Sequence, residues 1–285
     1  MPLNIHGLNA GVIRHNNNFA ALALKIKHEG KKESLLFFPL LPLKDLFLCL
    51  EQHLNAKTLL SDDARQKFNK AADSAAKKLQ KQVPEIIEDE LRHADVNLRV
   101  ERVTLTENNE SSLTLALTLH SGNTLAININ DAQMPLLVKL IIHAMNNAGL
   151  RAIVESLSSL LDFLPIYDVD CQEKGQMEYD SYQHPEWKHA LFNHYLAMIY
   201  LYKNEQGEEQ TCGTIVKTRT PSSTKEAESI AKRLLRYSNR LRKLENKPCK
   251  VMVKTLVADK SVTLTQEQCM YALHTLRMQS EKVPA

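Results

Sequence analysis

The first half of this chain contains two segments that resemble each other. When residues 3–27 are shifted forward by 93 positions, Leu22-Ala23-Leu24 falls on Leu115-Ala116-Leu117. The match continues through the next strand and helix once a single residue is dropped in a turn. Self-similarity at a fixed offset indicates repeated structural units that stack their apolar faces together. The sequence therefore predicts two copies of one unit, at about 3–56 and 96–148.

Each copy shows the pattern of three β-strands followed by one α-helix. In the second copy, apolar residues alternate with polar ones along 111–120 and 124–130, as they do on half-buried strands. Apolar residues then recur at helical spacing over 132–148, and Gly149 is typical of a helix end. A three-stranded antiparallel sheet has one apolar face that a helix can cover. We therefore expect an α+β fold with a tandem pseudo-repeat of a three-stranded antiparallel meander plus a helix.

Two further regions complete the expected domain organisation. A helical connector is predicted at 61–92, between the two copies, with a kink or a restart at Pro84. Residues 1–163 then form a duplicated βββα N-terminal domain. The polar stretch 167–185 is typical of a domain boundary. Residues 176–285 are predicted to form a smaller C-terminal α/β domain that contains a long helix at 223–247.

Composition argues against several classes of protein. The five cysteines are scattered without a CxxC pair, which favours free thiols in a reducing compartment. No apolar run approaches the roughly 18 residues of a membrane-spanning helix, and the first residues lack the features of a secretory signal. Only 8 residues are glycine, which argues against folds that work through glycine-rich loops. We therefore expect a cytoplasmic protein that does not contact a membrane.

Basic residues are concentrated near the C-terminus. Residues 217–285 carry 15 Lys/Arg and 6 Asp/Glu, whereas residues 1–216 carry 21 and 27. Within the helix predicted at 223–247, apolar residues recur at spacings of three and four, as in a heptad seam. Five cations run beside this seam, about 100° around the helix, and we call them the basic stripe: Arg233, Arg236, Arg240, Lys243 and Lys247.

Two interpretations of the basic stripe stay open. Its cations can bind an anion, either the phosphates of a nucleic acid or the carboxylates of an acidic partner. Alternatively, they are solvated side chains whose aliphatic stems cover the apolar flank of the helix. The sequence has no aromatic interleaving and no helix-turn-helix signature that would strengthen the nucleic-acid interpretation.

No motif points to catalysis, a cofactor or a metal. The chain lacks a GxGxxG after a strand, a GxxxxGK[ST], a GxSxG and an HExxH. His184, His189 and His194 are five residues apart, a spacing that separates the side chains on a helix or on a strand. No cysteine lies beside a histidine in the sequence. We therefore expect a protein that is not an enzyme, with no cofactor and no metal.

The opening residues resemble those of a known family. Ile5-His6-Gly7-Leu8-Asn9-Ala10-Gly11-Val12-Ile13-Arg14, followed by Asn16-Asn17-Asn18-Phe19, is similar to the start of the uncharacterised enterobacterial YjeJ-like family. Strands predicted at 194–203 and 210–219, with the helix that follows, resemble by pattern alone the small biofilm-regulator family BssS. Neither resemblance implies an activity or any catalytic or binding residue.

These observations predict a bacterial, non-enzymatic interaction or regulatory protein of the cytoplasm. It is expected to bind a protein partner through its sheet surfaces and the basic stripe. The alternative is a nucleic-acid-binding protein that contacts phosphates through the 223–247 helix. The two hypotheses differ in their response to salt, because phosphate contacts weaken steeply between low and moderate salt.

Overall fold

The chain folds into two compact units, unit 1 at Met1–Leu161 and unit 2 at Asp162–Ala285. Both combine helices with mostly antiparallel strands, which confirms the α+β prediction. None of the helices in the described parts is long and apolar enough to span a bilayer. The computed structural model describes residues 2–171, 176–219, 222–256 and 263–280.

Unit 1 consists of two antiparallel meanders, each followed by a helix. In chain order its elements are β1 (Leu3–Asn4), β2 (Gly7–His15), β3 (Asn18–Lys27), β4 (Glu33–Phe38), α1 (Leu40–Thr58), α2 (Asp62–Gln80), α3 (Glu88–Arg92), β5 (Val100–Asn108), β6 (Ser112–Leu119), β7 (Thr124–Asn130), α4 (Met134–Asn147) and α5 (Arg151–Ser159). One sheet has the strand order β2-β3-β4 and the other β1-β7-β6-β5. The first meander leads into α1 and the second into α4.

The element order matches the predicted three strands and a helix in both halves of unit 1. β5 begins and ends 93 positions after β2, the offset at which the two segments resemble each other. The first segment nevertheless contributes to both sheets. β1 leaves β2 and pairs in parallel with β7, so that Leu3 lies opposite Ile127.

β3 is buried on both of its faces, and its side chains differ in size between the two faces. Large side chains such as Leu22 and Leu24 occupy one face, whereas Ala21 and Ala23 occupy the other. The small side chains leave room for the chain after α2, and Leu91 packs against them. Both faces of this central strand are therefore covered.

The connector predicted at 61–92 is interrupted around Pro84, as expected. α2 ends at Gln80, α3 begins at Glu88, and Pro84 lies in the irregular stretch between them. Proline lacks the amide hydrogen that a helix interior needs. The Pro84 carbonyl accepts a hydrogen bond from the Asn9 side chain, at 2.8 Å.

Gly7 allows the end of α2 to approach β2. A Cβ atom at this position would lie 1.9 Å from the carbonyl oxygen of Gln82. A backbone atom cannot move aside as a flexible side chain can, so any larger residue must displace the chain after α2.

Unit 2 is one antiparallel sheet with helices on both faces. Its elements are β8 (Phe163–Cys171), β9 (Met177–Ser181), α6 (Glu186–Leu191), β10 (His194–Lys203), β11 (Glu209–Thr218), α7 (Thr224–Tyr237), β12 (Cys249–Leu256) and α8 (Gln266–Ser280). The strand order is β12-β10-β11-β8-β9. Ile199 packs in the cluster that contains Leu273 of α8, whereas the hydroxyl of the next residue, Tyr200, donates to the Ala231 carbonyl of α7. Alternation along β10 thus separates the two faces.

The boundary predicted at 167–185 was wrong. β8 lies inside the sheet, between β11 and β9, and Asp168 is fully buried. The polar residues of β8 alternate with Val169 and Cys171, which pack toward α8. The sequence pattern predicted a loop here because the cations that pair with Asp170 are about 70 residues away in the sequence.

The single helix predicted at 223–247 was also wrong. α7 ends at Tyr237, and Ser238 adopts an extended conformation with φ −77° and ψ 131°. The Ser238 hydroxyl accepts a hydrogen bond from the Leu241 amide at 2.9 Å, and a short 3₁₀ turn follows at Leu241–Leu244. Serine competes for backbone hydrogen bonds in this way and favours helix ends. The apolar seam is retained, because Leu234 and Leu244 are both buried.

We expect Gly7→Ala to destabilise unit 1 by about 1–3 kcal/mol, the usual range for overpacking. Gly11→Ala is the matched control, because its Cβ would meet only the ends of two side chains, Leu91 at 3.4 Å and Ile86 at 3.8 Å. Urea unfolding of the two variants measures the difference. Equal losses would show that the approach of Gln82 to β2 is unimportant.

Candidate functional site

The structure distributes the basic stripe over two elements. Arg233 and Arg236 lie on α7, whereas Arg240, Lys243 and Lys247 lie in the turns that follow. The five cations therefore do not share one straight helical surface. Their partners differ as well.

Arg233 is held by a carboxylate of the same unit. Its two terminal nitrogens donate to both oxygens of Asp162, at 2.8 and 2.6 Å. This paired geometry is the strongest form of arginine–carboxylate contact. The guanidinium also lies 5.5 Å from the centre of the Phe163 ring. Arg233 thus ties α7 to the start of β8.

Arg240 joins two adjacent strands. It donates to both oxygens of Asp180 on β9, at 2.7 and 3.0 Å, and to Asp170 on β8 at 2.9 Å. Lys243 binds the other oxygen of Asp170. The hydrogen bonds to Asp180 raise the pKa of the Arg240 guanidinium, and the same contact lowers the pKa of the Asp180 carboxyl. We call these four residues the ion-pair clamp.

Two members of the basic stripe stay at the surface. The Arg236 side chain is 73% exposed and reaches Glu245 only at 3.5 Å. Lys247 is exposed, and its amine forms no ion pair with any residue that the structure describes.

Three of the five predicted anion-binding cations are thus engaged by carboxylates of the same unit. Phosphates of a nucleic acid would have to displace Asp162, Asp170 and Asp180 from them. The nucleic-acid hypothesis stays a prediction, but of the basic stripe only Arg236 and Lys247 are available to it without displacing these carboxylates. The alternation of Asp168 and Asp170 with apolar residues was the sequence signal that this segment is a strand, and it was interpreted as part of a loop.

A buried carboxylate lies beside the ion-pair clamp. Asp168 accepts a hydrogen bond from the Tyr182 hydroxyl at 2.5 Å, and its Oδ1 atom has no hydrogen-bond partner among the described residues. Burial, followed by the contact with Asp168, raises the pKa of the Tyr182 hydroxyl. The Tyr182 hydroxyl therefore stays protonated at neutral pH and keeps its hydrogen bond to Asp168.

The three evenly spaced histidines do not form a metal site in the structure. The rings of His184 and His189 meet edge to face, 5.8 Å apart, whereas His194 begins β10. In the described ranges, no group of three or more His, Cys, Asp or Glu residues has the geometry to hold a metal ion.

Lys217 on β11 is buried without an acidic partner. It is 3% exposed, its amine donates to the His189 carbonyl at 3.0 Å, and it lies 5.0 Å from the centre of the Tyr195 ring. It forms no ion pair with the residues that the structure describes. Burial lowers the pKa of this amine, and burial followed by the charge of Lys217 lowers the pKa of His189.

An apolar groove opens between three helices of unit 1. Its volume is about 270 Å³. Phe47 and Leu157 are buried at its base, and the more exposed residues of its wall include Leu54, Val138 and Val154. Glu51 is the one ionisable side chain among the residues that line it. The groove thus combines apolar walls with a single carboxylate.

We expect Arg240→Gln to lower the unfolding temperature of unit 2 by a few degrees at pH 7, since it breaks the ion-pair clamp. Asp180 has a lowered pKa in the folded protein, so the clamp contributes stability above the carboxyl's ordinary pKa of 3.8. That contribution is lost as the pH falls through the folded-state value. Thermal unfolding at pH 7 and pH 3 tests this, and Arg236→Gln should change little at either pH.

Lys217→Met should be at least as stable as the natural protein at pH 7, because it removes a buried charge that has no counter-ion among the described residues. In the natural protein, the lowered pKa of Lys217 makes stability rise as the pH approaches 10.5, the ordinary value. The advantage of the variant should therefore shrink between pH 7 and pH 10. Lys203→Met, at an exposed position, is the control. A constant difference across this pH range would contradict the assignment.

Two comparisons with known proteins each find a match that covers nearly the whole chain. A family model described as YjeJ-like matches residues 1–283. The uncharacterized protein YjeJ of Escherichia coli strain K12 is 49% identical over 280 residues, which cover 98% of this chain and 97% of that relative. No solved structure matches the chain. On these grounds the chain belongs to the YjeJ-like family.

Proposed function

We propose that this chain is a non-enzymatic interaction protein that binds a protein partner in the groove between α1, α4 and α5. The partner contributes an amphipathic helix, whose apolar residues fill the groove. The supporting observation is the apolar recess itself, formed where three helices meet.

The size of the surface favours a helix over a small molecule. The volume of the recess, about 270 Å³, is just below the range of roughly 300–1,000 Å³ that is typical of small-molecule pockets. Apolar surface also continues beyond it. Leu59, directly after the last residue of α1, continues the four-residue spacing of Glu51 and Asn55 and is 88% exposed. Exposed apolar surface next to a recess is typical of protein-binding sites.

The charge of the groove indicates the chemistry of the partner. Because Glu51 is the only ionisable residue in the lining, a lysine or arginine on the docked helix complements it. We therefore expect a partner helix with apolar residues at positions i, i+3, i+4 and i+7 and a basic residue beside them.

The proposed location is the cytoplasm. None of the five cysteines forms a disulfide in the structure, and four of them are buried. Burial raises the pKa of Cys269 to about 11, so its thiol stays protonated. Protonated thiols outside disulfides are typical of proteins in reducing compartments.

The two βββα units of unit 1 are proposed to be tandem copies of one ancestral unit. The shared order of strands and helix and the common offset of β2 and β5 support this. In this view α1 and α4, which line the groove, are equivalent helices, and the groove lies between the copies.

We expect peptides selected for binding to the full-length protein, from a library of amphipathic helices, to require the groove. Val154→Glu places a charge in the apolar wall and should weaken the selected peptides about tenfold or more. Ala152→Glu makes the same change at an exposed position of α5 outside the lining. Fluorescence anisotropy with each peptide measures both affinities.

The charge of Glu51 offers a second comparison. Glu51→Lys should weaken peptides that carry a basic residue, and a peptide with glutamate in its place should recover binding. If the selected peptides bind Val154→Glu and Ala152→Glu equally, the groove is not the docking site. If no helical peptide is recovered, the proposed partner chemistry is wrong.

A further inference from the structure

A second recess in unit 1 has a different chemical character from the groove. This cleft, of about 560 Å³, lies between α2, the chain at Ile5–His6 and the turn at Asn130–Gln133 that precedes α4. Its volume falls within the range of roughly 300–1,000 Å³ that is typical of small-molecule sites. We call it the α2 cleft.

One face of α2 and the turn after it form a wall of the α2 cleft. The lining residues recur at helical spacing, and they are Ala71, Ser74, Ala75, Lys78, Leu79 and Gln82. Leu79 is buried and anchors the helix. The alanines are too small to fill the space beside it, so the cleft stays open, and Ser74 and Lys78 lie along it.

The walls of the α2 cleft are held in place by contacts within the protein. Gly7 lets the Gln82 backbone approach β2, as described above. On the opposite side, the Gln133 amide donates to the Ile5 carbonyl at 2.9 Å, and the Asn128 amide donates to Asn4 at 3.1 Å. The site is therefore formed before any ligand binds, which reduces the ordering cost of binding.

The charge of the lining favours an anion. Lys78 and His6 are its ionisable residues, and no carboxylate is among them. The side chains of Ser74, Lys78 and Gln82 form no hydrogen bond or ion pair with the part of the chain that the structure describes. Glu29 interacts electrostatically with His6 but accepts its hydrogen bond from Asn4 and lies outside the lining.

Two further features of the cleft indicate the chemistry of its ligand. α4 begins directly after the turn that lines the cleft, and the positive end of its dipole favours negative charge there. Asp131 of the same turn lies outside the lining and is paired with Lys57 at 3.0 Å. Ile5 and Leu79 are buried apolar residues in the same lining. The cleft therefore offers cations and hydrogen-bond donors beside a small apolar surface.

We propose that the α2 cleft binds a small anionic molecule through its phosphate or carboxylate groups. Lys78 provides the charge contact, and Ser74 and Gln82 donate hydrogen bonds to the same groups. This site is separate from the groove between α1, α4 and α5 and does not depend on the partner proposed there.

Calorimetric titration of the full chain with inorganic pyrophosphate and with citrate tests the proposal and separates the two anion chemistries. We expect one saturable site for at least one of these probes at concentrations up to about 10 mM. Lys78→Gln should weaken it about tenfold, as expected for the loss of one charge-assisted hydrogen bond. The bound anion should also raise the unfolding temperature of the natural protein and not of Lys78→Gln.

Two matched variants decide the result. Lys77→Gln removes the same charge from an exposed position of α2 that does not line the cleft, and it should leave the affinity unchanged. Ala75→Leu fills the cleft without a change in charge and should weaken binding. If Lys77→Gln weakens binding as much as Lys78→Gln, the attraction is diffuse and the site is overturned. The absence of saturable binding by both probes overturns it as well.

Discussion

Hydrogen-bonded ion pairs between β8–β9 and the segment after α7 organise unit 2. Asp170 and Asp180 stand on adjacent strands, where two carboxylates would repel each other without a cation between them. Arg240 supplies that cation and binds both. Because these carboxylates are paired, β8 can form part of the sheet despite its polar residues. The same contacts fix the segment that follows α7. It also removes charge that would otherwise be free to bind a partner.

In unit 1, small residues decide where surfaces can approach and where they stay apart. Gly7 permits a close backbone contact with Gln82, and Ala23 makes room for the chain that covers β3. Along α2 the alanines act in the opposite way, because they leave space that neighbouring side chains do not fill. The groove and the α2 cleft are therefore both consequences of packing, yet one is apolar and the other is cationic. The two binding proposals for this chain rest on these two recesses.

Elements with strong local patterns were predictable, and elements that depend on distant partners were not. The strand predicted at 194–203 matches β10 at both ends, because its apolar residues alternate and a turn at Gly207 follows. The basic stripe was identified by its residues, but its role was not. No local pattern shows that Arg240 meets Asp170, since 70 positions separate them. Neither recess was predicted, because each is lined by segments that meet only in the folded unit.

The sequence by itself determined the α+β class, the two strand–strand–strand–helix segments and the family, since these depend on local periodicity and on residue identity along the chain. Tertiary structure alone decided that β8 belongs to the C-terminal sheet, that α7 stops at Tyr237 and that Arg233, Arg240 and Lys243 are bound internally. The physical reason is that the stability of a charged side chain depends on what surrounds it. A local sequence pattern assigns a carboxylate to the surface. Only the fold shows the cation from a distant segment that pairs with it and allows it to be buried.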